Sequence, residues 1–433
     1  MPQQARLALV VVTVAICWVG RACAQAPSNV PPPGFTALFN GKDLAGWKGL
    51  VGNPISRARM SPEQLAEAQR KADAELARHW KVEDGQIVND GSGPHLCTVD
   101  QYGDFELWVD WKISPGGDSG IYLRGSPQVQ IWDPVNGIPD ARVGSGGLYN
   151  NQVNPSRPLV VADRPAGQWN TFFIRMIGQR VTVKLNDRLV VDNVIMENYW
   201  DRKRPIFPVE QIELQTHGNE TRFRNIFIRP IPPEEANAAL QKTDDSGFVS
   251  IFNGKDLEGW VGAVDGYEVR DGGILACKAG SGGNLFTKDQ YADFAVRFEF
   301  RLPPGGNNGL AVRSPLAGNP AYDGMEIQIL DDGHPKYATL EPWQYHGSIY
   351  GLVPAHRGYL RPTGQWNFQE VIARGSRITV NLNGTIIVDA DLSQVKDPDG
   401  KHPGMKRISG HLGFAGHNDP VEFRNIRLRR LEH

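Results

Sequence analysis

Apolar side chains occupy alternate places along residues 105–113. Phe105, Leu107, Val109, Trp111 and Ile113 alternate with positions that include Glu106, Asp110 and Lys112. A period of two over this length predicts a strand with one face in a core. The second half of the chain repeats it, with Phe294, Val296, Phe298, Phe300 and Leu302 set against Arg297, Glu299 and Arg301. Two apolar runs around Asn383-Gly384 predict a tight hairpin, because both turn residues accept positive φ. Asn186-Asp187 stands between equivalent runs in the first half. One stretch changes period. Ser61-Pro62-Glu63-Gln64 has a capping serine, a first-turn proline and a glutamine placed for a capping box. Leu65, Ala68, Ala72, Leu76 and Trp80 follow at helical spacing, so residues 48–79 read as an insertion with its helix at about 61–80.

The chain repeats itself at domain scale. Phe39-Asn40-Gly41-Lys42-Asp43-Leu44 returns as Phe252-Asn253-Gly254-Lys255-Asp256-Leu257, and Phe223-Arg224-Asn225-Ile226 returns as Phe423-Arg424-Asn425-Ile426. A repeat this long is a whole domain rather than a solenoid unit. The first copy is expected over 34–229, a proline-rich and acidic linker over 230–247, and the second copy over 248–431. Many short strands and few helices predict an all-β chain of two tandem sandwiches, each long enough for a jelly roll, the first carrying the helical insertion.

Composition refines this picture. The abundance of Gly (48) and Pro (31) suits many tight turns. A formal net charge of -2 offers no attraction to nucleic acid or to an anionic membrane. Residues 1–26 read as a cleaved export leader: Arg6, a short apolar run from Leu7 to Val19, then Ala-x-Ala sites around Ala22-Cys23-Ala24. The expected location is therefore secreted or periplasmic, with no membrane span. Beyond the leader only Cys97 and Cys277 remain, at non-equivalent places, so no repeated disulfide is expected.

Three clusters recur in both copies. The first is a glycine-rich turn running into a strand: Asp118-Ser119-Gly120 leading to Arg124, matched by Asn307-Asn308-Gly309 leading to Arg313. The second is Gln128-Val129-Gln130-Ile131-Trp132-Asp133, matched by Glu326-Ile327-Gln328-Ile329-Leu330-Asp331. Gln128 and Gln130 share a strand face, as do Glu326 and Gln328, whereas Asp133 and Asp331 fall on the opposite parity. A retaining glycosidase needs two carboxyl groups about 5 Å apart. The first copy has amides there and the second has Gln328 between its acids, which argues against double displacement. The third cluster is His217 and His417 before the last strand, residues suited to proton transfer or metal ligation. The first copy adds Tyr149, Asn150, Asn151, Tyr199 and Trp200, aromatic faces beside amides as sugar rings require; the second offers Tyr350.

Together the motifs Phe39 to Trp47, Asp118 to Arg124, Pro127 to Asp133, Gly167-Gln168-Trp169-Asn170, Leu214 to Gly218 and Phe223 to Ile226 resemble the 3-keto-disaccharide hydrolase domain family. The resemblance covers most of 34–229, and 248–431 is similar to a second, more divergent member. It implies a concanavalin A-like lectin/glucanase sandwich, bacterial export and action on glycosides whose C3 hydroxyl has become a ketone. Such a ketone acidifies the C2 hydrogen, so a base can form an enolate that expels the C1 group, and water then adds. For this chemistry His217 is the expected acid/base, Arg124 the enolate or hydroxyl clamp and Asp133 a base or metal ligand. Their counterparts are His417, Arg313 and Asp331, with Glu326 as an extra acid. Asp118, Ser119, Gln128, Gln130, Tyr149, Asn150, Asn151, Tyr199, Trp200, Asn308, Gln328 and Tyr350 are the expected sugar contacts. A divalent metal could hold the enolate oxygen. The first copy, with the denser motif set, is the favoured catalyst. With no dinucleotide-binding unit in the sequence, the oxidation falls to a separate upstream enzyme. A non-catalytic carbohydrate-binding protein and an adhesive envelope protein remain open beside this reading.

Overall fold

The computed structural model describes residues 28–397 and 400–432, so the leader expected at 1–26 lies outside the described residues. Among those residues no helix is long and apolar enough to cross a membrane. Each copy is a pair of antiparallel sheets. In the first, an eight-stranded sheet runs Arg188–Ile195, Arg180–Leu185, Asn170–Ile177, Phe105–Ile113, Thr221–Pro230, Gln86–Asn89 and Trp80–Glu83, with Thr36–Ala37 also on the Thr221–Pro230 strand. A five-stranded sheet runs Trp47–Gly49, Leu96–Thr98, Glu213–Leu214, Asp118–Leu123 and Ser126–Trp132. The second copy repeats this. Its five-stranded sheet runs Trp260–Gly262, Gly282–Tyr291, Gly410–His417, Asn307–Ser314 and Met325–Leu330. Its eight-stranded sheet is built around Phe294–Arg301 and Glu422–Arg430.

The alternation explains the core. Phe105, Leu107, Val109 and Trp111 from the larger sheet meet Ile121, Leu123, Val129 and Ile131 from the smaller one in a single buried cluster. Phe294, Val296, Phe298 and Phe300 meet Leu310, Val312, Ile327 and Ile329 in its counterpart. Both hairpin turns pair two positive-φ residues, Asn186 with Asp187 and Asn383 with Gly384, which matches the twist of the flanking strands. Cys97 and Cys277 are free and fully buried.

The insertion forms the short helix Pro54–Arg57 and the helix Pro62–His79, which has the capping box of Ser61 with Gln64. The longer helix packs on the edge strand Trp47–Gly49, where Asp73 Oδ1 accepts the Gly49 N–H at 2.9 Å. Gly49 permits this approach, since a Cβ there would lie 2.6 Å from the Ala72 carbonyl oxygen. That edge is thereby covered rather than left free to pair.

The linker carries a helix. Pro233–Lys242 is a helix with proline in its first turn and Glu234 and Glu235 beside it, a favourable start for a helix dipole. Ala236 and Leu240, one turn apart, bury against Ile177 of the first copy, Ile231 at the start of the linker and Phe368 of the second copy. The Gln179 N–H donates to the Gly384 carbonyl across the seam at 3.1 Å, and Tyr359 Oη donates to the Ile206 carbonyl at 2.9 Å. The copies are thus packed into one body. Phe368→Ala should cost about 3 kcal/mol by leaving a cavity at this seam. In calorimetry it should also split one endotherm into two, one per sandwich; an unchanged single transition would contradict a stabilising seam.

Candidate active site

One face of each five-stranded sheet is committed to the core, so every second residue points the other way. Register fixes which residues meet there. In the second copy Glu326 lies opposite Ala311, and Gln328 opposite Gly309. Gly309 has no Cβ, and one placed there would collide with the Glu326 carboxylate. Gly120 has the same relation to Gln128, with a built Cβ 2.7 Å from its Cδ. Each glycine lets a longer side chain lie flat across the sheet.

The second copy gathers a recess of about 210 Å³ whose lining includes Asn307, Tyr322, Glu326, Gln328, Tyr350 and His417. Glu326 is 5% exposed, and its Oε1 makes no hydrogen bond. His417 Nε2 stands 3.9 Å from that oxygen, on a half-exposed ring. The neighbouring carboxylate pushes the His417 imidazole up, against the opposing effect of burial. Gln328 Nε2 donates to Asn307 Oδ1 at 2.8 Å. Tyr350 is fixed by an edge contact with Trp343 at 5.1 Å and by Gln344 Nε2, which lies 3.2 Å from its hydroxyl.

The first copy replaces that acid with an amide chain. Gln128 donates to Gln130, Gln130 Nε2 donates to Asp118 Oδ1 at 2.8 Å, and Asp118 Oδ2 lies 3.5 Å from His217 Nδ1. Tyr149 stands edge-on to Trp132 at 4.8 Å, with its own ring exposed. One strand further in, Glu213 is the unforeseen member. It faces Tyr122 on one side and Cys97 on the other, is 1% exposed, and its Oε2 has no hydrogen-bond partner. Burial pushes its carboxyl up to about 8, with Arg57 opposing and Glu210 assisting, so at neutral pH it is largely a protonated acid. Gln215, on the same face, brings its Nε2 to 3.4 Å from the Tyr122 hydroxyl and leaves its Oε1 unpartnered. Burial also holds His95 neutral, down to about 4, where its ring meets Tyr122 edge-on at 5.3 Å. The sequence carried a clue: Ile212 and Leu214 are core residues, so Glu213 and Gln215 must share the other face.

Several expected site residues lie elsewhere. Asp133 and Asp331 are turn staples: Gly116 N–H donates to Asp133 Oδ2 at 2.9 Å, and Gly305 N–H to Asp331 Oδ2 at 2.8 Å. Asp133 also accepts from Val135 N–H and Asn136 Nδ2. Arg124 and Arg313 are each 2% exposed and sit off this face. Arg124 Nη1 donates to the Pro208 carbonyl, while Arg313 pairs with Asp293. Ser119 and Asn308 turn toward the sandwich interior, Ser119 Oγ donating to the Gln215 carbonyl at 2.7 Å and Asn308 Oδ1 accepting the Gly309 N–H. Asn151 ties its loop to the Ile195 carbonyl, and the Asn150 carbonyl accepts from Arg202. Trp200 Nε1 donates to the Gly125 carbonyl, and Tyr199 packs edge-on against it with Arg202 over its ring. Among the described residues no three His, Cys, Asp or Glu side chains converge on one point. Glu326 with His417 is one pair beside neutral amides, a donor set that does not fit a divalent metal site.

The 3-keto-α-glucoside-1,2-lyase-like domain model matches residues 34–229 and again 247–429. The chain belongs to that family, in two copies. A curated relative, a 3-keto-disaccharide hydrolase of Bacteroides thetaiotaomicron, is 24% identical over 250 residues, 48% of this chain and 86% of that protein. A crystal structure of a candidate glycosyl hydrolase from Parabacteroides distasonis is 28% identical, covering 42% of this chain and 99% of its own, with a TM-score of 0.37. A second from the same organism is 23% identical, covering 47% of this chain and 99% of its own, also with a TM-score of 0.37. Glu213 gives the first domain a distinct pH response. Its folded pKa lies above the unfolded value, so the folded state binds the extra proton, and stability falls as pH rises between about 4.5 and about 8. Glu213→Gln should flatten that slope and raise Tm more at about pH 8 than at about pH 5; a parallel shift at both would contradict a buried neutral acid.

Proposed function

We propose that the chain cleaves 3-keto-glycosides and that the chemistry sits in the second copy. The observation that carries this reading is Glu326: a buried carboxylate whose Oε1 makes no hydrogen bond and lies 3.9 Å from the His417 imidazole, in a recess lined by amide and phenol side chains. Glu326 takes the C2 proton of the bound 3-keto sugar, and the electron pair moves onto the C3 oxygen as an enolate. Amide and phenol groups of the recess, from Asn307, Gln328, Tyr322 and Tyr350, donate to that oxygen. The enolate collapses, the C1–O bond breaks, and the His417 imidazolium gives its proton to the departing oxygen. Its raised pKa keeps it protonated to higher pH than a free histidine. Water then adds across the enone: its oxygen bonds C1 while its proton passes to the now neutral His417, and Glu326 returns its proton to C2. The sum is hydrolysis without a second carboxylate.

A binding role fits the first copy. Gln128 stands where the second copy has Glu326, so the equivalent place has no base, while the exposed Tyr149 ring beside Trp132 offers an apolar face for a sugar. This reading includes export through the leader and an upstream enzyme that supplies the ketone. The test is a purified full chain given a 3-keto-disaccharide in D₂O, with sugar release followed by chromatography and C2 deuteration by NMR. Glu326→Gln should lower kcat by about 10²- to 10⁴-fold and abolish exchange at C2. Exchange at the wild-type rate in that variant would falsify the assignment.

A further inference from the structure

Arg124 and Arg313 occupy equivalent places in the two copies, and their backbones agree: both have φ of 48° and both side chains are buried. Their hydrogen bonding does not agree. Arg313 donates through Nε to the Ala292 carbonyl at 2.8 Å, through Nη1 to the Gly375 carbonyl at 2.6 Å, and through Nη2 to Asp293 Oδ1 at 2.9 Å. Arg124 has the matching neighbours, since Asp104 precedes Phe105 as Asp293 precedes Phe294, and Gly178 corresponds to Gly375. Yet only its Nη1 is engaged, with the Pro208 carbonyl at 2.9 Å, while Nε and Nη2 have no partner. Asp104 is committed elsewhere. Its Oδ1 accepts the Gly178 N–H at 2.8 Å, and its Oδ2 lies 3.7 Å from Arg361 of the second copy.

Nε and Nη2 form one edge of the guanidinium, the edge that grips a carboxylate or phosphate through two parallel bonds. A buried charged donor left without an acceptor is costly, and here two are left together. Arg124 also lines a cavity of about 240 Å³ at the seam between the copies, together with Asp104, Tyr359, Arg361, Gln365 and Thr385. Arg361 Nη2 also makes no hydrogen bond, while its Nη1 holds Asn237 Oδ1 at 2.6 Å and the Trp366 carbonyl at 2.7 Å. Burial pulls both guanidinium groups down, Arg124 to about 10, and both remain cations at neutral pH. Two cations thus face one carboxylate in the lining. Of the other acids that act on Arg361, Glu299 is held by Arg424 and Asn425, and Glu234 is exposed to water.

We propose that this seam cavity binds a small oxyanion, a carboxylate or an inorganic phosphate, gripped by the Nε–Nη2 edge of Arg124 with Arg361 assisting. The bound ion would complete for Arg124 the bonding that Asp293 completes for Arg313, and would brace one copy against the other. The site uses no residue of the Glu326–His417 recess, so sugar cleavage can fail while this proposal stands, and the reverse.

The test is thermal unfolding and calorimetric titration of the full chain with inorganic phosphate, with acetate and with chloride, at matched ionic strength. A saturable one-site response to phosphate or to acetate, absent with chloride, is expected, and the anion that saturates identifies the source. Arg361→Gln should weaken it about tenfold, and Arg124→Met should abolish it. Should Arg124→Met not fold, Arg361→Gln decides alone. No response, or a rise in Tm that never saturates and is equal in wild type and Arg361→Gln, overturns the proposal.

Discussion

One constraint governs this molecule: a strand has two faces, and burying one dictates the other. Ile121, Val129, Ile131, Ile212 and Leu214 are driven into the first core, so Gly120, Tyr122, Gln128, Gln130, Glu213 and Gln215 have no choice of direction. Leu310, Ile327 and Ile329 do the same for Gly309, Glu326 and Gln328 in the second. The polar constellation is a by-product of apolar burial, held at the precision of a ladder. A slip of one residue would turn every one of these side chains inward.

Duplication lets the two faces be compared position by position. The register places Gly413 opposite both Phe286 and Ala311 in the second copy, and Glu213 opposite both Cys97 and Tyr122 in the first. Small residues leave the second face hollow around Glu326. Larger polar residues fill the first face and seat a protonated acid within it. The shared frame therefore carries two different chemical surfaces, one centred on a carboxylate and one on amides.

Much of this was legible in the sequence because it depends on period and repetition. Strand alternation, the Asn383-Gly384 turn, the capping box at Ser61 and the repeated landmarks all act locally. The parity of 128 with 130 and of 326 with 328 put those residues on one face correctly. The arginines show where that logic ends. Arg124 shares parity with Asp118 and Tyr122, but a left-handed φ of 48° at the strand end breaks the alternation and sends its side chain away from the site. Asp133 lies beyond its strand, where backbone N–H groups claim its carboxylate. Glu213 went unseen because its character comes from burial, which only the packed neighbours reveal. The linker helix was hidden for a similar reason: Ala236 and Leu240 have meaning only against Ile177 and Phe368.

The turn at Gly178 touches the turn at Gly384 so closely that a Cβ on Gly178 would overlap the other's backbone, and Gln179 ties the two together. The sandwiches accordingly keep one mutual orientation. Under the proposed function, the two sugar-binding faces are held at a constant separation, so the pair would behave as a gauge. On that proposal, a glycan whose residues fall in step would gain the second contact intramolecularly, and one out of step would gain nothing.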